Sequence, residues 1–337
     1  MIDILVAGGG PAGLAAAIRV AEAGREAVVV EPRAAPVDKA CGEGIMPSGV
    51  TALRALGVDP PGRELRGIRY VEGDRRAEAT FRGGTGLGVR RTELHSALHR
   101  RAAELGVRVV PGRVDEVRHQ HDSVTAAGLT ARWLIAADGL HSPTRRTLGL
   151  ERPSTAPRRY GLRRHYRVAP WTDLVEVHWS RHGEAYVTPV GDGLVGVAVL
   201  SARRRSHGQH LDEFPELAGA LRGLEAGPVR GAGPLRRTAS APAAGRVLLV
   251  GDAAGYVDAL TGEGVALAAA TASAAVDCIV AGRPEEYPAR WARLTRRHRL
   301  LTQALVWAAG HPVTAARIVP AAQRLPPLFS TAVRALQ

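Results

Sequence analysis

The chain has 337 residues, and 45% of them are hydrophobic, which is ordinary for a protein with a sizeable folded core. Its formal net charge is +13, but aromatic residues make up only 4% and the arginines are spread along the chain. Nucleic-acid binding is therefore not expected, because it requires positive charge clustered on a recognition element. The two cysteines, Cys41 and Cys278, predict no disulfide framework and fit a reducing compartment.

The hydropathy pattern predicts no membrane segment. No apolar run approaches the roughly 20 residues that a transmembrane helix requires. The first predicted strand begins at Ile2, so we expect no signal peptide. These observations predict a cytoplasmic protein without stable membrane insertion.

The first residues predict a strand, a helix and a second strand. Ile2 to Ala7 is a short apolar run that ends in glycines, Leu14 to Ala23 has the pattern of a helix, and Ala27 to Val30 that of a buried strand. Continuous apolar strands on either side of a helix are typical of a βαβ unit in a parallel sheet.

Helices and strands continue to alternate up to about residue 151. Thr92 is a plausible N-cap for the longest helix of this region, and Gly106 is a plausible stop after it. The predicted elements are a helix over Ser48 to Leu56, short strands between Ile68 and Val89, a helix over Thr92 to Leu105, and strands at Val107 to Val110, Val114 to Val117 and Trp133 to Ala137.

From about Arg152 to Ala241 the strands become longer and more polar, which indicates an antiparallel sheet. A buried strand at Arg246 to Val250, a helix at Gly264 to Ala281 and helical sequence from Tyr287 to the end follow. We therefore predict an α/β fold with an α+β part. Residues 1–151 and 242–337 form a Rossmann-like dinucleotide-binding domain with C-terminal helices, residues 152–241 form an inserted antiparallel-sheet substrate domain, and a short segment at about 60–90 lies on the substrate side.

The glycine loop after the first strand predicts dinucleotide binding. Gly8 suits a tight turn, Gly10 lets the backbone approach a pyrophosphate, and Gly13 lets the helix pack closely. Glu31 ends the second strand, where a carboxylate can accept hydrogen bonds from ribose hydroxyls. This loop alone is compatible with NAD or FAD.

Two later segments favour FAD. Asp138-Gly139-Leu140-His141-Ser142-Pro143-Thr144-Arg145 and Gly251-Asp252-Ala253-Ala254-Gly255 each follow a buried strand. With the glycine loop, these motifs resemble those of the flavoprotein family of para-hydroxybenzoate-hydroxylase-like monooxygenases and geranylgeranyl reductases. The resemblance spans nearly the whole chain and implies a non-covalently bound FAD.

The resemblance also implies contacts between particular residues and the cofactor. It places Asp138 and Gly139 near the pyrophosphate and Asp252 at the ribityl chain. It also implies that Arg91, at the start of a helix, contacts FAD. The other residues that we expect at the cofactor are Pro11, Ala12, Pro32, Arg33, Cys41, Gly42, Val114, Gly251, Gly262, Glu263 and Gly264.

Thr261-Gly262-Glu263-Gly264 begins a helix, and the N-terminus of that helix would stabilise negative charge on the flavin pyrimidine ring. Glu263 fits this arrangement, and it fits equally well a simple acidic residue at a helix N-terminus. No second glycine motif joins a strand to a helix, so NAD(P)H is expected to bind transiently as the reductant.

The motifs predict the cofactor better than the reaction. Asp38 to Gly44 resembles the cysteine-glycine segment of the reductases, whereas Ala259 replaces a proline of the family motif. We expect a monooxygenase that uses O₂ and NAD(P)H to hydroxylate a hydrophobic aromatic or polyketide-like molecule of secondary metabolism. The alternatives are a C=C reductase of an isoprenoid and a flavin-binding protein without turnover.

The reactive end of the site has three candidate residues. Cys41 and Glu43 could position substrate or donate a proton, although a buried structural cysteine is also common. Tyr186 is a third candidate and fits a pocket wall equally well. No spacing of His, Cys and carboxylate residues suggests a metal.

The C-terminal helix carries leucines and a tryptophan between arginines from Arg290 to Arg299. Such a helix either covers the flavin domain with a solvated arginine face or rests on an anionic membrane.

Overall fold

The computed structural model describes residues 1–335, without the side chain of Pro312. The elements of the first 111 residues are β1 (Ile2–Ala7), α1 (Pro11–Glu22), β2 (Ala27–Glu31), β3 (Gly44–Ile45), α2 (Pro47–Arg54), β4 (Arg63–Leu65), β5 (Gly67–Glu72), β6 (Arg75–Thr80), β7 (Gly86–Gly88), α3 (Arg91–Glu104) and β8 (Arg108–Pro111). The middle of the chain forms β9 (Val117–His119), β10 (Val124–Ala126), β11 (Leu129–Ala136), α4 (Pro143–Thr147), β12 (Glu151–Arg152), β13 (Tyr160–Arg167), β14 (Leu174–Ser180), β15 (Gly183–Gly191) and β16 (Leu194–Ser201). The last part forms α5 (His207–Leu211), α6 (Pro215–Ala220), β17 (Arg230–Ala232), β18 (Arg237–Ala239), β19 (Ala243–Ala244), β20 (Val247–Leu249), β21 (Gly255–Tyr256), α7 (Gly264–Val280), α8 (Tyr287–Gly310), α9 (Pro312–Ala315), α10 (Ile318–Arg324) and α11 (Pro326–Arg334).

The first sheet is the Rossmann-like sheet. Its strands follow the order β19-β20-β11-β1-β2-β8, with β1, β2, β8, β11 and β20 parallel, and β10 and β9 extend it from β11. Ile4 and Val6 pack with α1, α3 and α7 on one face, whereas Leu5 and Ala7 pack into a second cluster on the other. Burial on both faces explains why these strands are continuous apolar runs.

The second sheet has seven strands in the order β17-β13-β16-β15-β14-β5-β6. All its pairs are antiparallel except β5 with β14. Strands β5 and β6 come from residues 67–80, so a segment from early in the chain extends the sheet of the later one. Helices α10 and α11 pack against β6 at this end of the sheet. The expected α/β fold with an antiparallel second sheet and C-terminal helices is confirmed.

Helix α3 begins one residue earlier than the sequence predicts. Its N-cap is Arg90, not Thr92, and no side chain within the helix caps it. Instead Glu43 Oε1 accepts the backbone N–H of Arg91 at 2.9 Å. A carboxylate from a distant segment therefore satisfies one of the free donors of the first turn, which a local sequence pattern does not reveal.

One further prediction from the sequence is wrong in detail. Val114 to Val117 is mostly a loop, because the chain turns away from β8 at Gly112, and Val114 is buried there without strand pairing. The region from Tyr287 onward is helical as the sequence predicts, and its described part forms the four helices α8 to α11, with a proline within two residues after the ends of α8 and α10. Within residues 1–335 no helix has both the length and the apolar character to cross a bilayer.

Candidate cofactor and substrate site

One large cavity of about 940 Å³ runs from the carboxyl ends of the parallel strands to the face of the antiparallel sheet. It is lined by 20 of the 21 site residues that the sequence singles out, and the exception is Gly13. These lining residues are Gly8, Gly10, Pro11, Ala12, Glu31, Pro32, Arg33, Cys41, Gly42, Glu43, Arg91, Val114, Asp138, Gly139, Tyr186, Gly251, Asp252, Gly262, Glu263 and Gly264.

The glycine loop shows why each glycine is needed. A Cβ on Gly13 would lie 1.8 Å from the carbonyl oxygen of Gly8, so α1 could not pack as closely with any larger residue. A Cβ on Gly10 would meet no protein atom within 4 Å and would instead project into open space. Gly13 therefore serves packing, whereas Gly10 leaves room for a ligand at the start of α1.

The N-terminus of α1 is available to an anion. Gly10 is its N-cap, no side chain caps it, and its first turn holds no acidic residue. Free backbone N–H groups and the helix dipole favour a phosphate at such a position. Helix α7 also begins without a side-chain cap, and its first residues line the same cavity.

Arg91 is a buried cation that lacks a partner among the described residues. Its side chain lines the cavity, and its Nη1 has no hydrogen-bond partner there. Burial lowers the pKa of its guanidinium. A buried, unsatisfied cation is costly unless an anion joins it, so Arg91 fits the phosphates of a dinucleotide.

His95 supports the glycine loop from one turn further along α3. Its Nε2 lies 3.0 Å from the carbonyl oxygen of Gly9, and the residue is 2% exposed. Burial, and then the charge of Arg91, lower its pKa to about 4. His95 is therefore neutral at pH 7 and can donate one hydrogen bond to the loop.

Glu31 lies at the end of β2, as the sequence predicts, and is held there by two neighbours. Its Oε2 accepts the N–H of Gly9 at 2.8 Å, and its Oε1 accepts the Nε–H of Arg33 at 2.7 Å. Burial alone would raise the pKa of Glu31, but the hydrogen bonds from Arg33 and Gly9 lower it below its usual value. The carboxylate is thus ionised and available to ribose hydroxyls.

Arg145 connects the segment that begins at Asp138 with the segment that begins at Gly251. It is fully buried, and its guanidinium donates to the carbonyl oxygens of Leu140 at 2.9 Å and Ala253 at 3.0 Å. Asp138 accepts the N–H of Thr144 at 2.9 Å through one oxygen, while its other oxygen is buried without a partner among the described residues. The two loops are thereby fixed next to each other at the cavity.

Asp252 and Glu263 each face a basic residue across the cavity wall. Lys39 Nζ lies 3.6 Å from Asp252 Oδ2, and both side chains are partly exposed. Glu263 forms a hydrogen bond with His298, which is on α8 and also lines the cavity. The Glu263 carboxylate therefore points to α8.

Glu43 joins the cofactor side of the site to the antiparallel sheet. It has a φ of +60°, uncommon for a residue with a Cβ, and is 2% exposed. Beyond its bond to the Arg91 N–H, its Oε2 lies 2.6 Å from His165 Nε2 on β13, and Arg163 Nη2 lies 3.6 Å from Oε1. Glu43 is thus fully engaged in positioning contacts.

Cys41 stands two residues before Glu43 on the cavity wall. Its Sγ accepts the N–H of Glu43 at 3.3 Å. Burial, and then the nearby Glu43 carboxylate, raise the pKa of the thiol. Cys41 consequently keeps its proton at neutral pH.

Tyr186 lies on β15 at the far part of the cavity. Its hydroxyl donates to the carbonyl oxygen of Leu260 at 3.3 Å, and burial raises its pKa well above the usual value. Arg159 pairs with both Glu184 and Asp258 beside it, the latter at 3.2 Å. The polar groups in this part of the site are therefore mostly occupied by one another.

Sequence reasoning missed four residues at the site. His95 and His298 belong to no motif, although His95 stands four residues after Arg91, where a helix brings side chains together. Lys39 lies in the Asp38 to Gly44 segment, but the sequence does not indicate that it faces Asp252. Arg145 stands inside the Asp138 motif, but only the structure shows that its side chain is buried.

Comparison with known proteins agrees with this geometry. Residues 1–207 match the family described as an FAD binding domain. The chain is 31% identical over 332 residues to the menaquinone reductase of Mycolicibacterium smegmatis, covering 88% of this chain and 80% of that protein. It is 31% identical over 297 residues to digeranylgeranylglycerophospholipid reductase 1 of Methanopyrus kandleri, covering 78% and 76%. Its fold is similar to that of a triple mutant of a flavin-dependent brominase, with a TM-score of 0.84 at 16% identity, covering 100% and 94%.

The match to an FAD binding domain and to relatives named as reductases shows that the chain is an FAD-dependent oxidoreductase. The chain belongs to the family described as an FAD binding domain, and the relatives that it matches in sequence are named as reductases. Its residues fit the cofactor, because Gly10 leaves space where a phosphate would lie and Arg91 supplies an unused positive charge.

Proposed function

We propose that this flavoenzyme reduces a C=C bond in the isoprenoid chain of a lipid, with NAD(P)H as a transient reductant. The observation that carries the proposal is the apolar wall of the cavity beyond the flavin-binding loops. The two relatives above support it, because both are named as reductases and both names denote lipids.

The apolar wall is formed by side chains from the antiparallel sheet. Ile68 and Tyr70 of β5 and Val175 and Val177 of β14 line the cavity, and Leu305 of α8 closes it from the other side. These residues belong to one hydrophobic cluster that continues into α10 and α11. Such a surface stabilises a hydrocarbon chain by burial, at about 25 cal/mol per Å² of apolar area.

The charged groups that the structure describes near this wall are largely paired with one another, although Asp258 Oδ1 is buried without a hydrogen-bond partner. Asp258 lines the cavity, but its carboxylate pairs with Arg159, and it is 4% exposed. The Tyr186 hydroxyl already donates a hydrogen bond to the carbonyl oxygen of Leu260. A substrate that needs polar recognition in this part of the cavity would have to displace these pairs, whereas an alkene would not.

FAD supplies hydride chemistry when bound, and the chain supplies placement and protons. We assign Gly10, Arg91 and the α1 N-terminus to the pyrophosphate, Glu31 to the adenosine ribose, and Asp252 to the ribityl chain. The N-terminus of α7 would stabilise negative charge on the flavin ring.

Reduction of a C=C bond needs a proton as well as a hydride. Cys41 holds a proton on Sγ at neutral pH and faces the cavity. Glu43 does not touch the substrate in this scheme; it orients Cys41 through its backbone N–H.

Product mass tests the proposal. Holoenzyme, reduced anaerobically, is mixed with a digeranylgeranyl lipid, which has no quinone ring to accept electrons. Reduction predicts a product heavier by two hydrogen atoms and a return of the oxidised flavin spectrum without oxygen.

Two other outcomes would overturn the proposal. A product heavier by one oxygen atom, formed only in air, would assign the hydroxylation that we expected from the sequence. Lack of any substrate-stimulated NAD(P)H oxidation over a panel of isoprenoid and aromatic compounds would favour a flavin-binding protein without turnover.

A further inference from the structure

The C-terminal part of the chain has an unusual distribution of charge. No aspartate or glutamate follows Glu286, whereas eight arginines do. These arginines are Arg290, Arg293, Arg296, Arg297, Arg299, Arg317, Arg324 and Arg334. A region with one sign of charge attracts a partner of the opposite sign.

The outer side of α8 combines this charge with exposed apolar residues. Arg293, Arg297, Leu300, Ala304 and Trp307 are all exposed and follow one another at intervals of four, three, four and three residues. This spacing places them on one face of a helix. Leu300 is 57% exposed and Trp307 is 59% exposed, which is unusual for such large apolar side chains in water.

Exposed apolar and basic residues also follow α8 along the chain. Val313 is 64% exposed, Leu325 is 52% exposed and Leu328 is 63% exposed. Arg317 and Arg324 are exposed in the same stretch of chain. We call the exposed residues of this region the C-terminal face, which comprises Arg293, Arg297, Leu300, Trp307, Val313, Arg317, Arg324, Leu325 and Leu328.

The inner side of α8 faces the cavity. Thr295, His298, Gln303 and Leu305 line it, and Thr295 is buried. One helix therefore separates the cavity from the C-terminal face. No described helix can cross a bilayer, so contact of this face with a membrane would be contact with its surface.

We propose that the C-terminal face docks on the surface of a bilayer that contains anionic phospholipids. Trp307 and the exposed leucines enter the interface between headgroups and acyl chains, and the arginines pair with phosphates. A second copy of the chain fits less well, because a two-fold interface would set arginines against arginines. The proposal does not depend on the reaction at the flavin.

Vesicle flotation of the FAD-loaded protein tests the proposal. We expect binding to phosphatidylglycerol vesicles, little binding to phosphatidylcholine vesicles, and weaker binding as salt increases. Arg293→Gln with Arg297→Gln should lower the partition coefficient about 25-fold, since each neutralised arginine near an anionic surface loses about fivefold. Leu300→Ser with Trp307→Ser should lower it at least tenfold, because the apolar anchors are lost.

Matched controls lie outside the C-terminal helices. Arg222 is exposed and Val229 is 42% exposed, so Arg222→Gln with Val229→Ser changes one surface charge and one surface apolar group. This variant should bind vesicles like the unaltered protein, and the flavin absorbance of every variant reports that it is folded.

Three results would overturn the proposal. The first is equal binding, or no binding, to both kinds of vesicle. The second is unchanged binding by both folded C-terminal variants. The third is a concentration-dependent dimer that the Leu300→Ser and Trp307→Ser variant abolishes without any vesicle binding by the unaltered protein, which would assign the face to a second copy.

Discussion

The two ends of the cavity are built in different ways. The cofactor end is shaped by backbone: the glycine loop, the uncapped start of α1 and the carbonyl oxygens that Arg145 holds. The substrate end is shaped by side chains that project from β5, β14 and β15 of the antiparallel sheet. We therefore expect a few positions of the cofactor end to accept almost no substitution. The positions of the substrate end are more numerous, and we expect most of them to accept several different residues.

This difference bears on how such a protein acquires a new substrate. A backbone site binds the part of the cofactor that is the same in every flavoprotein, and its geometry is fixed by close approach. A wall of apolar side chains can be reshaped by substitutions that conserve its volume, usually at less than 1.5 kcal/mol each. Substitutions at the two ends of the cavity should therefore differ in effect, with the largest loss at the glycine loop and the smallest at Tyr186.

The glycine loop offers the sharpest test of the backbone end. Gly13→Ala places a methyl group 1.8 Å from the Gly8 carbonyl oxygen, so the loop or α1 must move. We expect a loss of about 3 kcal/mol or more in the free energy of unfolding of the apoprotein. Urea denaturation of the apoprotein measures it.

Gly10→Ala is the matched control. The added methyl group meets no protein atom within 4 Å, and Gly10 has an ordinary φ of −74°. The apoprotein should keep its stability, while its affinity for FAD, measured by quenching of flavin fluorescence, should fall at least tenfold. Equal loss of stability in both variants would contradict the separate roles of these two glycines.

The stability of the cofactor end should also depend on pH, through His95. The pKa of His95 in the folded protein is about 4, below its value of about 6.5 in an unfolded chain. Its contribution to stability is therefore complete above about pH 6.5 and is lost as the pH falls towards 4. A difference of this size corresponds to a loss on the order of 3 kcal/mol.

His95→Gln removes this titration. The difference in unfolding free energy between the variant and the unaltered protein should narrow, or change sign, as the pH falls from 7 to 4. His121→Gln, at an exposed histidine, controls for loss of a surface imidazole. A difference that stays constant over this pH range would show that protonation of His95 does not affect the loop.

The smallest effect is expected at the substrate end. The Tyr186 hydroxyl donates to Leu260 and stays protonated because burial raises its pKa. Tyr186→Phe should change kcat by no more than about threefold, the equivalent of one weak hydrogen bond. Tyr186→Ala should raise KM more than it lowers kcat, because it removes part of the wall. A hundredfold loss of kcat in Tyr186→Phe would instead make Tyr186 a proton donor.

The sequence predicted the backbone end well because its requirements are local. Gly8, Gly10 and Glu31 stand at fixed positions around one helix, and the structure places all three on the cavity. The order of β1, α1 and β2 could likewise be predicted, since both strands are buried on two faces and read as unbroken apolar runs.

The contacts that the sequence did not predict join distant segments. Glu43 caps α3 across 48 residues, and Arg145 reaches carbonyl oxygens more than 100 residues away. No local pattern encodes such pairings. The same limit applies to Val114, which is buried by tertiary contacts while lying in a loop, so that its apolar neighbourhood suggested a strand.

The position of Arg145 also has a consequence for how the protein folds. The residues that match the FAD-binding family end at 207, yet β20 at residues 247–249 pairs with β11, and Arg145 reaches the carbonyl oxygen of Ala253. During synthesis the nucleotide-binding half therefore cannot be completed until at least 253 residues have left the ribosome. A fragment that ends at residue 207 would leave the buried Arg145 guanidinium without its acceptors at Asp252 and Ala253 and would leave β11 without β20, so we expect residues 1–207 not to fold as an independent unit.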